Sequence, residues 1–238
     1  ILTNVFGTKN CADLAVKYKV EKFVMISTDK AVNPTNVMGA SKRIAELYTQ
    51  SLGKPVLTKF ITTRFGNVLG SNGSVIPRFR QQIENGGPVT ITHADITRFF
   101  MTIPEACQLV LEAGTSGNGG EIFIFDMGES VKILDLAKKM IKLSGLTLDK
   151  DIKIIYTGLR PGEKLYEELL ANEENTLPTH HQQIMIAKVK EYDFEFINTK
   201  IQELIDCFDK QDNKLIVKQM KLLVPEFKSN NSIYEELD

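Results

Sequence analysis

The sequence of 238 residues has no tryptophan, and its few cysteines and histidines limit the metal and disulfide chemistry available to it. Cys11, Cys107 and Cys207 are widely spaced and form no CxxC pair, so no disulfide framework is predicted. We expect reduced thiols in a cytosolic compartment. His180 and His181 have no cysteine or carboxylate at ligand spacing, and we expect no metal there.

Neither sign of charge is in large excess, because 29 basic residues balance 30 acidic ones and the net charge is -1. The chain therefore has no basic field with which to hold nucleic acid or anionic lipid. No apolar run approaches the roughly 20 residues that cross a bilayer, and no signal peptide is present. We expect no membrane contact from this segment, while an upstream inner-membrane anchor, with this part on the cytoplasmic side, stays open.

The chain begins without methionine, and its first residues already have a helical pattern. Apolar residues between Leu2 and Tyr18 recur at a roughly helical period. No G-x-G-x-x-G follows a strand anywhere in the sequence, so the usual cradle for a dinucleotide pyrophosphate is missing. The sequence therefore predicts a fragment that starts inside a helix.

Short apolar runs of strand type alternate with helical stretches along the chain. This alternation is typical of an α/β protein with a parallel sheet. Strands are expected at residues 22–27, 58–65, 89–92, 121–125 and 152–156. Helices are expected at residues 37–51 and 76–84, from 104 to before 114, at 131–143, and in two stretches from 194 onward. The last residues, 228–238, are expected to be frayed.

The stretch STDKAVNPTNVMGASK begins where a buried strand is expected to end, the edge at which α/β sheets place ligands. Thr28, Asp29 and Lys30 present a hydroxyl, a carboxylate and an amine in succession. Met38 and Lys42 follow one helical turn apart and so share a face. An isolated T-D-K is most simply a surface turn, but its spacing to M-x-x-x-K favours an active site.

The same stretch resembles the active-site segment of extended short-chain dehydrogenases/reductases, in which a strand-end Ser or Thr precedes a Tyr-x-x-x-Lys helix. Its T-D-K-A-x-N-P-x-N-x-x-G-A-[ST]-K form is similar to nucleotide-sugar 4,6-dehydratases of the capsule and flagellin-glycosylation type, the polysaccharide-biosynthesis family. Met38 replaces the usual Tyr, and a thioether cannot take a proton from a sugar hydroxyl. With methionine at this position, the segment resembles that of the membrane-anchored UDP-N-acetylglucosamine dehydratases that retain configuration at C5. The identity of the residue that acts as the base in the first oxidation stays open.

The resemblance covers roughly residues 1–192 and implies the C-terminal half of a Rossmann-type parallel sheet plus a smaller α/β substrate lobe. Residues 1–73 would form the sheet half, to which the chain returns around 98–126. Residues 74–192 would be mainly the substrate lobe, and 193–238 a helical tail. The implied cofactor is NAD, with its main binding motif upstream of this chain, and the intact protein is expected to be a homo-oligomer.

The resemblance also implies roles for the residues around the strand end. Thr28 would polarise the C4 oxygen of the sugar, Asp29 would protonate the departing C6 hydroxyl, and Lys30 would take the C5 proton. Lys42 would hold the nicotinamide ribose. The residues assigned to the cofactor side are Ser27, Lys42 and Phe65.

Two further segments, RFGNVLGSNGSVIPRF and THADITRFFMTIPEA, resemble family stretches that bind the nucleotide sugar. Asn67 would hydrogen-bond the sugar diphosphate, Ser74 and Val75 would line the substrate, and Arg98 would meet the nucleotide diphosphate. A glycine-rich turn and a surface cation are the plainer interpretations when each segment is taken alone.

The motif RPGEKLYEEL is more specific. A Pro-Gly turn would aim Arg160, whose planar guanidinium suits phosphate oxygens. Glu163 would accept hydrogen bonds from ribose hydroxyls. A plain helix start also explains the motif, but its order and spacing relative to the other segments favour function.

The sequence therefore predicts an enzyme that removes water from UDP-N-acetylglucosamine in surface polysaccharide biosynthesis, with a UDP-sugar as its binding partner. A UDP-N-acetylhexosamine 4-epimerase is the alternative within the same class, although it needs no acid/base pair such as Asp29 and Lys30. A non-catalytic sugar-nucleotide-binding module is the alternative from another class, favoured by Met38 and by the missing glycine fingerprint.

Overall fold

A mixed five-stranded sheet lies at the centre of the computed structural model, which describes residues 1–52, 56–168, 176–187 and 192–238. The strand order is β1 (Lys22–Ile26), β2 (Lys59–Arg64), β7 (Ile122–Phe125), β11 (Ile184–Ala187) and β10 (Thr176–Pro178). β1, β2 and β7 are parallel, whereas β11 and β10 are antiparallel to their neighbours. The predicted α/β class with a parallel-strand sheet is confirmed, and the antiparallel pair is an addition.

Helices cover both faces of this sheet. α1 (Gly7–Lys17) and α2 (Val37–Leu52) share one apolar core with Phe60 of β2, and α4 (Ile103–Ser116) packs on β1, β2 and β7 in another. β7 reads IFIF and is buried throughout, as expected for a strand that is covered on both sides. Short helical turns lie at Leu2–Phe6, Asp29–Ala31, Cys207–Lys210 and Glu235–Leu237.

A second, smaller α/β unit has its own apolar core. In it, β4 (Val89–Ile91) pairs in parallel with β9 (Ile154–Tyr156), and α3 (Val75–Glu84) and α5 (Ile133–Leu143) pack against that pair. The core consists of Phe79, Ile83, Val89, Ile91, Ile96, Ile133, Ala137, Ile141 and Ile152. The expected strands and helices thus occur within a few residues of their predicted bounds, while the division into domains stays a prediction.

Two short pairings lie between the units. β3 (Asn67–Val68) pairs in parallel with β6 (Phe100–Met101), and β5 (Thr97–Arg98) pairs antiparallel with β8 (Val131–Lys132). Asn67 and Arg98 therefore occupy positions fixed by backbone hydrogen bonds. Within the described residues, no helix has both the length and the apolar character that a bilayer crossing requires.

The helical tail packs onto the first core and then continues towards the site. α6 (Phe194–Asp206) and α7 (Asn213–Leu223) bury apolar faces against α2. The expectation that residues 228–238 are frayed is wrong. The Lys228 amide donates to the Pro34 carbonyl at 3.1 Å, and the Gly162 amide donates to the Asn230 carbonyl at 2.6 Å.

Candidate active site

The C-terminal end of β1 leads directly into the short turn that carries Asp29 and Lys30. Backbone pairing with the neighbouring strand continues past both strands, since the Ser27 amide donates to Thr63 at 2.7 Å and the Asp29 amide donates to Phe65 at 3.1 Å. Thr28 is extended and caps the turn, and its hydroxyl donates to Asp29 Oδ1 at 2.9 Å. The sheet therefore fixes the start of the predicted catalytic segment.

Asp29 is completely buried and holds the Lys30 side chain. Lys30 Nζ donates to Asp29 Oδ1 at 2.8 Å, and the Thr28 hydroxyl donates to the same oxygen. The other oxygen, Oδ2, has no hydrogen-bond partner in the part of the chain that the structure describes. It lies 3.0 Å from where a Cβ on Gly66 would stand, which is a tighter contact than most Cβ atoms make.

Three oxygen atoms surround the Lys30 ammonium. They are Asp29 Oδ1 at 2.8 Å, Asn67 Oδ1 at 3.3 Å and Glu167 Oε1 at 3.9 Å. Asn67 therefore contacts a predicted catalytic side chain, and its own amide donates to the Phe99 carbonyl at 3.2 Å. Sequence reasoning did not single out Glu167, although it lies four residues after Glu163 in the matched RPGEKLYEEL motif.

Arg98 is joined to the same group of charges. Its Nε lies 3.7 Å from Glu167 Oε1 and its Nη2 lies 3.5 Å from Glu163 Oε1. Glu163 also accepts from the Thr92 hydroxyl at 3.1 Å and from the Arg160 amide at 3.0 Å. Glu163 therefore holds the turn that carries Arg160, and the predicted contacts of these residues with ribose and phosphate stay predictions.

Glu167 is an ionisable group in a poorly solvated position. Its side chain is 4% exposed, and its Oε2 atom is buried without a hydrogen-bond partner among the described residues. Burial raises the pKa of Glu167, and the negative charge of Asp29 acts in the same direction. The charges of Lys30, Arg98 and Lys164 oppose this rise without cancelling it.

A pocket of about 530 Å³ opens between the two units, within the size range of small-molecule sites. Of the predicted site residues, its wall contains Lys30, Asn67, Ser74, Val75, Arg98, Arg160 and Glu163. Met38 and Glu167 also line it, whereas Thr28 and Asp29 do not. Ser27, Lys42 and Phe65 do not line it either, so the predicted cofactor residues are separate from this pocket.

The N-terminal end of α3 contributes to the pocket. Ser74 precedes the helix, and its hydroxyl is buried without a partner in the described ranges. The first amides of a helix favour negative charge. This end of the pocket, together with the exposed Arg160, is suited to an anionic ligand.

Lys42, which is predicted to hold the cofactor ribose, uses one of its donors within the chain. It stands one turn after Met38 on α2, and its Nζ donates to the Ile26 carbonyl at 3.1 Å. An ammonium has three donors, so others are left for ligand hydroxyls. Burial lowers the pKa of Lys42, and Glu46 opposes this. Met38 is 45% exposed beside it and offers no proton acceptor comparable to a tyrosine.

A buried network of charged side chains connects α2 to β2 through Glu46, Arg43 and Arg64. Glu46 is completely buried and accepts from Arg64 Nε at 2.8 Å, from Arg64 Nη2 at 2.7 Å and from Arg43 Nη1 at 3.1 Å. Burial raises the pKa of Glu46, but the charges and hydrogen bonds of Arg64 and Arg43 outweigh it and bring the pKa to about 2. Arg43 also donates to Glu226 of the tail at 3.0 Å.

Comparison with known proteins shows the family of the chain. The family model described as "Polysaccharide biosynthesis protein" matches residues 1–189. The chain is 55% identical to the capsular polysaccharide biosynthesis protein CapD of Staphylococcus aureus, over 89% of this chain and 35% of that protein. It is 43% identical to a UDP-glucose 4-epimerase of Rickettsia canadensis, over 73% of this chain and 50% of that protein. The chain therefore spans half or less of the length of these two relatives.

Among solved structures, Pen from Bacillus thuringiensis superposes with a TM-score of 0.73 at 38% identity, covering 81% of this chain and 60% of that one. More distant nucleotide-sugar dehydratases and epimerases, some solved with NAD, share the fold at 22% identity or less. At that distance the likeness shows the fold alone.

Proposed function

The chain belongs to the polysaccharide biosynthesis protein family, and from this premise we propose that the protein containing it is a nucleotide-sugar 4,6-dehydratase. The proposed reaction converts UDP-N-acetylglucosamine to a UDP-4-keto-6-deoxy sugar. One observation carries the proposal: Lys30, on the wall of a ligand-sized pocket, is hydrogen-bonded to Asp29 and close to a second carboxyl. Elimination of water needs such a base and acid side by side.

NAD, when bound, would supply hydride-transfer chemistry at C4 and C6. With a ketone at C4, the C5 proton becomes acidic, and the Lys30 amine is placed to remove it. Asp29 and Asn67 orient that amine through hydrogen bonds of 2.8 and 3.3 Å. Lys42 would hold the nicotinamide ribose, with Ser27 and Phe65 beside it. The leaving hydroxyl at C6 needs a proton, for which the sequence predicts Asp29.

Recognition of the nucleotide diphosphate is proposed for the cationic side of the pocket. Arg160 is exposed at the rim, and Ser74 with Val75 marks the N-terminal end of α3. Arg98 is held by Glu163 and Glu167 and would stabilise the diphosphate after partial release from those carboxylates. A hydrogen bond to a charged partner contributes about 1.5–3 kcal/mol.

Product mass tests the proposal directly. The full-length protein that contains this chain is supplied with NAD and UDP-N-acetylglucosamine, and the product is analysed by mass spectrometry. A dehydratase gives a product lighter by one water. A product of unchanged mass with inverted C4 would reject the dehydratase.

An epimerase is the second candidate, because the relative from Rickettsia canadensis is named UDP-glucose 4-epimerase and is 43% identical. Epimerisation at C4 requires no proton removal from C5. An epimerase run in heavy water therefore leaves C5 unlabelled, whereas a dehydratase exchanges or loses the C5 proton.

A further inference from the structure

Two carboxyl groups lie beside the Lys30 ammonium, and only one of them reaches the pocket. Asp29 is completely buried and does not line the pocket, with Oδ2 directly under Gly66. Glu167 lines the pocket together with Lys30. A sugar bound in the pocket therefore meets Glu167 before it meets Asp29.

The two carboxyl groups also differ in how their negative charge is stabilised. Asp29 Oδ1 accepts hydrogen bonds of 2.8 Å from Lys30 and 2.9 Å from Thr28. The cations nearest to Glu167 Oε1 are Arg98 Nε at 3.7 Å and Lys30 Nζ at 3.9 Å, beyond hydrogen-bond distance. One oxygen of each carboxyl is buried without a partner among the described residues, so this difference rests on the other oxygen.

We propose that Glu167 is a catalytic residue, the acid that protonates the departing C6 hydroxyl, and that Asp29 is a positioning residue that holds Lys30. This inference rests on the 4,6-dehydratase function proposed above. It agrees with the direction of the Glu167 pKa, which burial raises, because a carboxyl that resists ionisation is better able to hold a proton for the substrate.

The protons needed for the elimination can all be moved by Lys30 and Glu167. Lys30 passes an ammonium proton to the Glu167 carboxylate, after a shift of about 1 Å or through one water. The neutral amine then takes the C5 proton, and the electrons of that C–H bond form the C5–C6 double bond. The C6–O bond breaks, and its electron pair leaves with the oxygen, which takes the proton from Glu167 and departs as water. Lys30 is again an ammonium and Glu167 a carboxylate, so no outside acid is consumed.

Matched carboxamide variants in the full-length protein test this assignment. With NAD and UDP-N-acetylglucosamine in heavy water, two rates are measured: deuterium entry at C5 and formation of the dehydrated product. In Glu167→Gln, dehydration should fall about a hundredfold to ten-thousandfold while exchange at C5 persists, because Lys30 is intact and loses its proton to solvent instead. In Asp29→Asn, both rates should fall together, because Lys30 is misplaced.

Glu163→Gln serves as the control, since Glu163 also lines the pocket and contacts Arg98. Whatever it does to substrate affinity, the ratio of exchange to dehydration should not change. The reverse pattern, in which Asp29→Asn separates the two rates and Glu167→Gln does not, would overturn the proposal. So would an equal loss of both rates in Glu167→Gln.

A substrate that needs no acid provides an independent check. UDP-N-acetylglucosamine carrying fluorine at C6 loses fluoride, which requires far less protonation than hydroxide. Glu167→Gln should eliminate fluoride at close to the wild-type rate, which would also show that the variant is folded. Loss of fluoride elimination in a variant with an unchanged melting temperature would contradict the acid role. If the wild-type protein itself forms no dehydrated product, the dehydratase function fails, and that result is distinct from any outcome at Glu167.

Discussion

Lys30 is the residue on which the proposed elimination depends. Lys30→Ala in the full-length protein should abolish deuterium entry at C5 and release of dehydrated product, since no other amine lines the pocket among the residues the structure describes. Loss of a positioned base costs about a hundredfold to ten-thousandfold in rate. Lys22→Ala is the control, because Lys22 lies on the strand that precedes Lys30 but donates to the Thr115 carbonyl outside the site. Near-normal turnover in Lys30→Ala would favour the epimerase.

Gly39 permits the close approach of α2 to the turn at Lys30. A Cβ at this position would lie 2.1 Å from the Lys30 carbonyl oxygen, so Gly39→Ala must displace one of the two backbones. We expect a loss of about 1–3 kcal/mol in the free energy of unfolding, measured by urea denaturation. Gly114→Ala is the matched helical control, with 3.7 Å to its nearest neighbour, and it should be neutral or stabilising. Equal effects of the two changes would mean that the approach is not tight.

Sequence reasoning named several residues of the pocket wall but missed Glu167, and the omission has a physical cause. Resemblance to family motifs singled out Asn67, Arg98 and Arg160, and the structure brings them to the pocket with Lys30. Glu167 and Glu168 are adjacent and chemically identical, so no local pattern tells them apart. Only tertiary packing turns Glu167 to Lys30, while Glu168 accepts from Asn33 on the outside.

At the scale of elements, the end of the tail holds the turn that carries Arg160. The Gly162 amide donates to Asn230, and the Gly162 carbonyl accepts from Thr35 at 2.8 Å and from Asn36 at 2.9 Å. Removal of residues 228–238 from the full-length protein should therefore loosen the turn and weaken UDP binding severalfold. Calorimetry measures the affinity of the deleted and the intact protein, and their melting temperatures are compared.

Arg160→Ala separates this effect from general destabilisation. In the intact protein it should weaken UDP binding by about 1.5–3 kcal/mol through loss of a charge-assisted hydrogen bond. In the truncated protein its effect should be smaller, because an unfixed Arg160 contributes less. Additive losses would show that the tail acts elsewhere.

The strands and helices were predictable where local pattern decides them, and β10 with β11 was not. Apolar runs predicted β1 and β7, and β-branched residues predicted β2. β10 is three residues long and contains Pro178, which is typical of an edge strand and gives little pattern to recognise. Its pairing with β11 depends on the free side of β7, a tertiary feature that periodicity does not record.

For the molecule as a whole, the buried Glu46 network links stability to pH. Because the pKa of Glu46 falls to about 2 in the folded state, its contribution is complete above the unfolded value of about 4.3. It is lost as the pH falls through that window. Glu46→Gln should therefore cost about 3–5 kcal/mol at neutral pH and progressively less towards pH 2.

Asp95→Asn is the control for this experiment. Asp95 and Lys132 form an ion pair of 3.4 Å that is more than half exposed, and its removal should change stability by less than about 0.5 kcal/mol. Denaturation by urea at several pH values measures both variants. A pH-independent loss in Glu46→Gln would indicate a packing effect rather than the removal of a charge.

The position of the tail has a consequence for the order of events during synthesis. Domains generally fold as units and N-terminal parts first, so the segment around Pro34 and the turn at Gly162 leave the ribosome before residues 228–230 do. Both loops are fastened by the carbonyl and amide groups of that later segment. A nascent chain can thus complete the apolar core of the smaller unit, which ends before residue 166, and still have an unfastened pocket. The pocket is therefore completed late, after the smaller unit has formed its own core.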